Sequence, residues 1–382
     1  MYTLIFMVRK MKLYFLAAII CNVIGSKLLF KDVKLNDNKP MKYILLWASN
    51  EKVPFVYMGK GQLGFLEKKC PHVNCFVTSN IFLLGDYTRF DVIAFSGPQL
   101  ENDVSKLPEK RSSHQKYVFA SIESPDNYPI CNSFYNDFFN WTWTYKLDSE
   151  VRWGYIIIRD TSNNIIGPKQ DMNWLKLEQM DPVTEDFKNK LKTKNKAAVW
   201  FASNCITKNK REQFVQELRN ELYKYDSDVD IYGNCGTNLC SRNENECRKK
   251  IAEEYYFYLS FENGFSEDYV TKILLVPLKN NAVPIVYGGA NYTRFMPDGI
   301  YLNARELGVK KLAAKMNELM NDPEKYAQYF KWKNHYSYHN MGASLETNVI
   351  CKICEKLNDE EAMKESTVYH NFTNWWNVPN SC

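Results

Sequence analysis

The sequence has no basic stripe. Its 49 lysines and arginines against 44 aspartates and glutamates leave a net charge of +5 spread over 382 residues. That mild, unclustered surplus argues against nucleic acid as a partner and suits a small anionic ligand or a glycoprotein surface. A full-length apolar membrane span is also lacking. The uncharged run Leu13–Ser26 holds 14 residues; as a helix it would reach about 21 Å, short of the roughly 30 Å hydrocarbon core. Nor does Cys351-x-x-Cys354 have a second CxxC or CxxH pair beside it. Zinc is therefore disfavoured, and a local disulfide is the expectation.

What is present belongs to a folded, secreted type of chain. An apolar fraction of 45% with 24% charged residues fits an ordered globule. The length exceeds what one core usually fills, so two domains are expected. Arg9, Lys10 and Lys12 precede the uncharged run and Lys27 closes it, as in a signal-peptide core or a short signal anchor with its basic end in the cytosol. Both readings send the body of the chain into the secretory path. Of 11 cysteines, Cys21 lies in that run and the other ten are an even set, consistent with disulfides. Cys70 and Cys75 form a second close pair. Asn140-Trp-Thr, Asn291-Tyr-Thr and Asn371-Phe-Thr are candidate N-glycosylation sites.

The stretch Tyr255–Gly289 organises the rest. An aromatic and aliphatic run, Tyr255–Phe261, is short enough for a buried strand. The polar turn Glu262-Asn263-Gly264 follows, then Asp268 and Thr271 offer N-cap chemistry to a helix of roughly ten residues. A second strand, Val283–Tyr287, ends at Gly288-Gly289. This β-α-β unit places a polar loop at the carboxyl edge of its first strand, where open α/β sheets hold nucleotides. Upstream, strand-like runs occur at Tyr43–Trp47, Asn74–Thr78, Phe90–Phe95 and Tyr117–Ile122. The last ends at Glu123, stopped by Ser124-Pro125, which puts a carboxyl group at a crevice mouth where desolvation raises its pKa. The strand Ala197–Ala202 leads into Ser203-Asn204-Cys205, with Lys208, Lys210 and Arg211 at the start of a helix. Cations and helix amides at such a junction suit a diphosphate or form a solvated turn.

The FEN-x5-YVT segment with its following helix and VPIV strand resembles the donor-binding signature of the α1,3-fucosyltransferases, glycosyltransferase family 10, in their invertebrate form. ESP at 123–125, the aromatic stretch FFNWTWTYKLD at 138–148 and SNC-x5-R at 203–211 extend the likeness over residues 41–355. The resemblance implies an α/β, GT-B fold of two Rossmann-like domains facing across a cleft. Residues 1–12 would be a cytoplasmic basic tail, 13–26 a signal anchor (the reading the family favours), 27–40 a stem, 41–186 an acceptor-side domain and 187–355 a GDP-fucose-binding domain. Residues 356–382 would be a tail without an assigned role. It implies inverting transfer of L-fucose from GDP-fucose to the 3-hydroxyl of GlcNAc in glycoprotein glycans, by a single-pass type II protein of the Golgi membrane. Glu123 inherits the role of general base, and Ser203, Asn204, Arg211, Glu262, Asn263, Tyr269 and Lys272 inherit donor contacts. No acidic DxD pair sits in the loop, so no metal is obligatory and a divalent ion is at most stimulatory. One departure stands out. Where the family reads YVTEK, this chain has Lys272-Ile273, which exchanges a carboxylate for a cation and a cation for an alkyl group. Lys272 would then take part of the lost diphosphate contact; the alternative is a catalytically impaired, glycan-binding homologue.

Overall fold

The computed structural model describes residues 39–48, 51–100, 104–238 and 244–382. The expected basic tail, the signal segment and all but the last two residues of the stem lie outside the described residues. Among those described, no helix is long and apolar enough to cross a membrane. Strands β1 (Lys42–Leu46), β2 (Cys75–Thr78), β3 (Val92–Ser96), β4 (Lys116–Ser121), β5 (Trp141–Thr144) and β6 (Val151–Arg152) form a sheet in the order β2-β1-β3-β4-β5-β6. Every pairing in it is parallel. The strands β3, β4 and β5 are buried at each residue, as expected where both faces of a parallel sheet are covered. At the edge, β2 alternates buried and half-buried residues.

A hairpin, β7 (Ile156–Asp160) and β8 (Ile165–Gly167), leaves the first sheet. The second parallel sheet follows, with β9 (Lys196–Phe201), β10 (Val229–Tyr232), β11 (Tyr255–Phe261), β12 (Val283–Tyr287) and β13 (Leu302–Asn303) in the order β10-β9-β11-β12-β13. Both β11 and β12 fall on the residues expected for them. Helices Arg211–Leu222 and Ala304–Met320 bury Leu218, Leu222, Leu312 and Met316 against one face of this sheet. Strand β14 (Tyr336–Asn340) then pairs antiparallel with β7, so the small third sheet ties the two halves together.

The chain ends in the first half, contrary to the expected boundary at residue 355. Helix Val349–Leu357 buries Ile350, Ile353 and Leu357 in a core shared with Ile44, Val92 and Trp143. On the opposite face, Phe372 and Trp376 pack on Phe119 with ring centroids 4.9 and 4.7 Å away. Residues 356–382 are therefore part of the first layer and no loose tail. The sequence lacked a local signal for this because the apolar spacing of a short helix does not say which sheet it covers.

The cysteine pairing also differs from expectation. The bridges are Cys70–Cys351 and Cys75–Cys354, crossing 281 and 279 residues, so neither close pair is a local disulfide. Residues three apart on a helix hold their Cβ atoms about 5–6 Å apart, too far for the roughly 3.8 Å a disulfide needs. Both sulfurs instead point at the 70–75 segment. Cys131–Cys382 and Cys205–Cys235 are two further bridges. One glycosylation candidate is corrected as well. Asn140 is 6% exposed, and its Nδ2 donates to the Thr367 carbonyl at 2.7 Å while Oδ1 accepts from the Tyr117 amide at 2.8 Å. A buried amide with both ends engaged has no room for a glycan. Asn291 and Asn371 are exposed.

Candidate functional site

Two carboxyl-edge loops meet between the sheets. The first follows β4. Ser121 Oγ accepts from the Glu123 amide at 3.2 Å and donates to the Glu123 carbonyl at 3.1 Å, which turns the chain out of the sheet. The Glu123 carboxyl is half-buried and faces a cavity of about 540 Å³ lined also by Trp153, Tyr155, Lys272 and Ile273. Burial pushes its pKa above the ordinary carboxylate range, and a hydrogen bond from the Tyr269 hydroxyl to Oε2, at 3.4 Å, draws it part of the way back.

The second loop follows β11. Glu262 is 3% exposed, and its polar groups are turned inward. Its amide donates to the Tyr287 carbonyl at 2.9 Å, its carbonyl accepts from Asn209 Nδ2 at 2.8 Å, and Oε1 accepts from the Thr271 amide at 2.7 Å. Desolvation pushes its carboxyl up to about 7. Asn263 keeps a buried Oδ1 without a hydrogen-bond partner. The expected helix is shorter than ten residues. Thr271 caps a 3-10 turn, Lys272–Leu274, that runs into helix Leu275–Lys279. Asp268 does not cap it; its carboxylate pairs with Arg294 at 2.7 Å and accepts from the Leu147 amide at 3.1 Å.

The loops interlock. Ser124 Oγ lies 2.5 Å from Ser266 Oγ, the Phe265 amide donates to Asp126 Oδ2 at 2.8 Å, and Lys208 Nζ donates to the Asp126 carbonyl at 2.8 Å. Gly264 makes the approach feasible, because a Cβ there would stand 2.8 Å from Ser124 Oγ. Glu123, Tyr269, Glu262 and Lys272 are thereby gathered around one junction.

Arg211 behaves differently from expectation. It is 8% exposed, with Nη1 donating to the Phe261 carbonyl at 2.5 Å and Nη2 to the Asn204 carbonyl at 3.1 Å. Its fork braces the ends of β9 and β11 and lines neither cavity described here. Ser203 and Asn204 are exposed beside it. A group of cations lies elsewhere along the same edge. A cavity of about 730 Å³ is lined by Lys146, Lys208, Lys210, Arg305, Phe265 and the C-terminal residues 374–379. Arg305 stacks over the Phe265 ring at 4.1 Å and donates to the Gly288 carbonyl at 2.9 Å. Sequence reasoning missed Arg305, which follows β13 without any motif of its own. It also passed over Lys146, although that residue sits in the aromatic stretch already singled out.

Two family models match the chain: the glycosyltransferase family 10 (fucosyltransferase) C-terminal region over residues 191–375, and the fucosyltransferase N-terminal region over residues 39–156. The α-(1,3)-fucosyltransferase C of Drosophila melanogaster is 34% identical over 348 residues, covering 89% of this chain and 78% of that one. The chain belongs to glycosyltransferase family 10. A second Drosophila melanogaster member, glycoprotein 3-α-L-fucosyltransferase A, is 30% identical over 85% of this chain and 58% of its own length. A crystal structure of an α1,3-fucosyltransferase superposes on this family 10 chain with a TM-score of 0.53 and 16% identity, covering 88% of this chain and 93% of the other. The shared architecture is the GT-B-like α/β fold with two parallel sheets.

Proposed function

We propose that the chain is an inverting α1,3-fucosyltransferase that moves L-fucose from GDP-fucose to the 3-hydroxyl of GlcNAc in glycoprotein glycans. The observation that carries this reading is the Glu123 carboxyl, half-buried at a cavity between the two sheets with its pKa raised. As general base it takes the proton of the acceptor hydroxyl while that oxygen bonds to the anomeric carbon. The bond from that carbon to the diphosphate oxygen breaks on the opposite face, and GDP leaves with the electron pair. The cationic cavity along the carboxyl edge of β9, β11, β12 and β13 is the place for the diphosphate. Lys146, Lys208, Lys210 and Arg305 there offset charge that grows on the leaving group, so no metal is obligatory.

The acceptor enters the cavity of Glu123, where Trp153 and Tyr155 offer aromatic faces to a sugar. The interlocked loops stand between the two cavities. The donor sugar therefore reaches Glu123 only when the Ser124–Ser266 and Asp126–Phe265 contacts part. Lys272 lies on the Glu123 side and is exposed, so its long stem can follow the diphosphate as the loops move. Residues 41–186 supply the acceptor side and the second sheet the donor side. The disulfides fit an oxidising lumen. With residues 13–26 as anchor, this reading gives a type II chain of the Golgi membrane whose catalytic part is luminal and whose Asn291 and Asn371 carry glycans.

The decisive experiment is transfer of labelled fucose to GlcNAc-bearing acceptors and to the same acceptors lacking the 3-hydroxyl. Label should enter the first set alone. Absence of transfer, together with no stabilisation by GDP, overturns the reading. In the same assay Lys272→Ala should weaken GDP binding by about tenfold, the effect of losing one charged hydrogen bond.

A further inference from the structure

The loop that carries Glu123 has no ladder of its own from Ser124 to Asn132, yet it must hold a base in place. Two sets of contacts grip it. One comes from the second half of the molecule, through Ser266, Phe265 and Lys208, and breaks if the halves part. The other comes from the end of the chain. The Asn377 carboxamide accepts from the Ile130 amide at 2.9 Å and donates to the Ile130 carbonyl at 2.7 Å, as a neighbouring strand would. Trp376 Nε1 donates to the Tyr128 carbonyl at 3.1 Å. Cys382 closes the same segment through its bridge to Cys131. The family match stops at residue 375, so most of this strap lies past it.

We infer that the C-terminal strap, residues 374–382, is a positioning element for the Glu123 loop, and that Asn377 is its principal residue. Asn377 lies in the wall of the cavity given to the diphosphate, but both ends of its side chain are spent on Ile130, so it acts through the loop. Because the strap belongs to the same half as the loop, it keeps the base in register while contacts to the other half open and close. The inference rests on the proposed role of Glu123, but its first test does not.

The test compares wild type with Asn377→Ala, Asn377→Asp and the double variant Cys131→Ser/Cys382→Ser, all as full chains. In hydrogen exchange without substrate, peptides spanning 124–131 should exchange faster in Asn377→Ala, and those of β9 to β12 should be unchanged. Unchanged exchange at 124–131, or acceleration throughout the chain, overturns the inference whether or not fucose is transferred. In the transfer assay, kcat should fall about tenfold or more, with KM for GDP-fucose within about twofold. The acid limb of the kcat profile should move to lower pH, because a loosened loop lets water reach Glu123. Asn377→Asp, which retains the acceptor for the Ile130 amide, should recover part of kcat, and the double cysteine variant should resemble Asn377→Ala. A fall in kcat with the acid limb unmoved would make the strap merely structural.

Discussion

Glu123 and Glu262 occupy equivalent places, each just beyond the carboxyl end of a parallel strand, and the structure gives them opposite surroundings. Glu262 is almost wholly buried, its amide bonded to the end of β12 and its carbonyl and carboxyl to neighbouring loops. Glu123 is half-buried and faces a cavity, and its carboxyl has one long hydrogen bond, from Tyr269. The difference teaches that a raised pKa alone does not mark the reacting acid. Desolvation dominates both shifts, and the Glu262 shift is large enough to reach about 7. Access decides. A group that cannot meet a substrate holds the loop, and a group with open space beside it can exchange a proton.

The largest test of this comparison is Glu123→Gln, which preserves shape and removes the base. We expect kcat to fall by about 10²–10⁴-fold with GDP affinity nearly unchanged, read by steady-state kinetics and GDP titration. A variant retaining a tenth of the activity would remove Glu123 from the chemistry. The next effect belongs to Glu262 and is one of stability. Its folded carboxyl holds a proton up to about 7, against an ordinary value of about 4.3 in the unfolded chain. Its contribution is therefore fully present below about pH 4, is lost as pH rises to about 7, and is level beyond that. The total is about 4 kcal/mol at 1.36 kcal/mol per unit. Glu262→Gln should flatten that slope in urea unfolding from pH 4 to 8; an identical slope in both proteins would mean that the carboxyl is not the cause. The smallest effect is that of Tyr269→Phe. Losing the hydroxyl that stabilises ionised Glu123 should move the acid limb of activity to higher pH, with the plateau rate changed less than about threefold.

Much of this site was legible in local pattern. The strands β11 and β12, the Glu123 turn and the polar Glu262-Asn263-Gly264 loop follow from apolar runs ended by turn residues, which act over a few positions. Arg211 shows where such reasoning stops. A cation beside a helix start reads as a phosphate ligand, yet two backbone carbonyls left at strand ends claim its fork. Those carbonyls belong to residues 50 and 7 positions away, and their need for donors is visible only once the strands are paired. Cys351 and Cys354 show the same limit, as does Asn140, whose amide is consumed by Tyr117 and Thr367.

By itself the amino-acid order determined the two loops that bear acids, since periodicity and turn chemistry are short-range, and its motifs carried the resemblance to the family and hence to its fold. Only the tertiary structure decided which acid is accessible, which cations line the cavity, and which half the C-terminal segment joins. Those outcomes depend on packing partners hundreds of residues apart, where burial and hydrogen-bond demand set the result and sequence spacing carries no information.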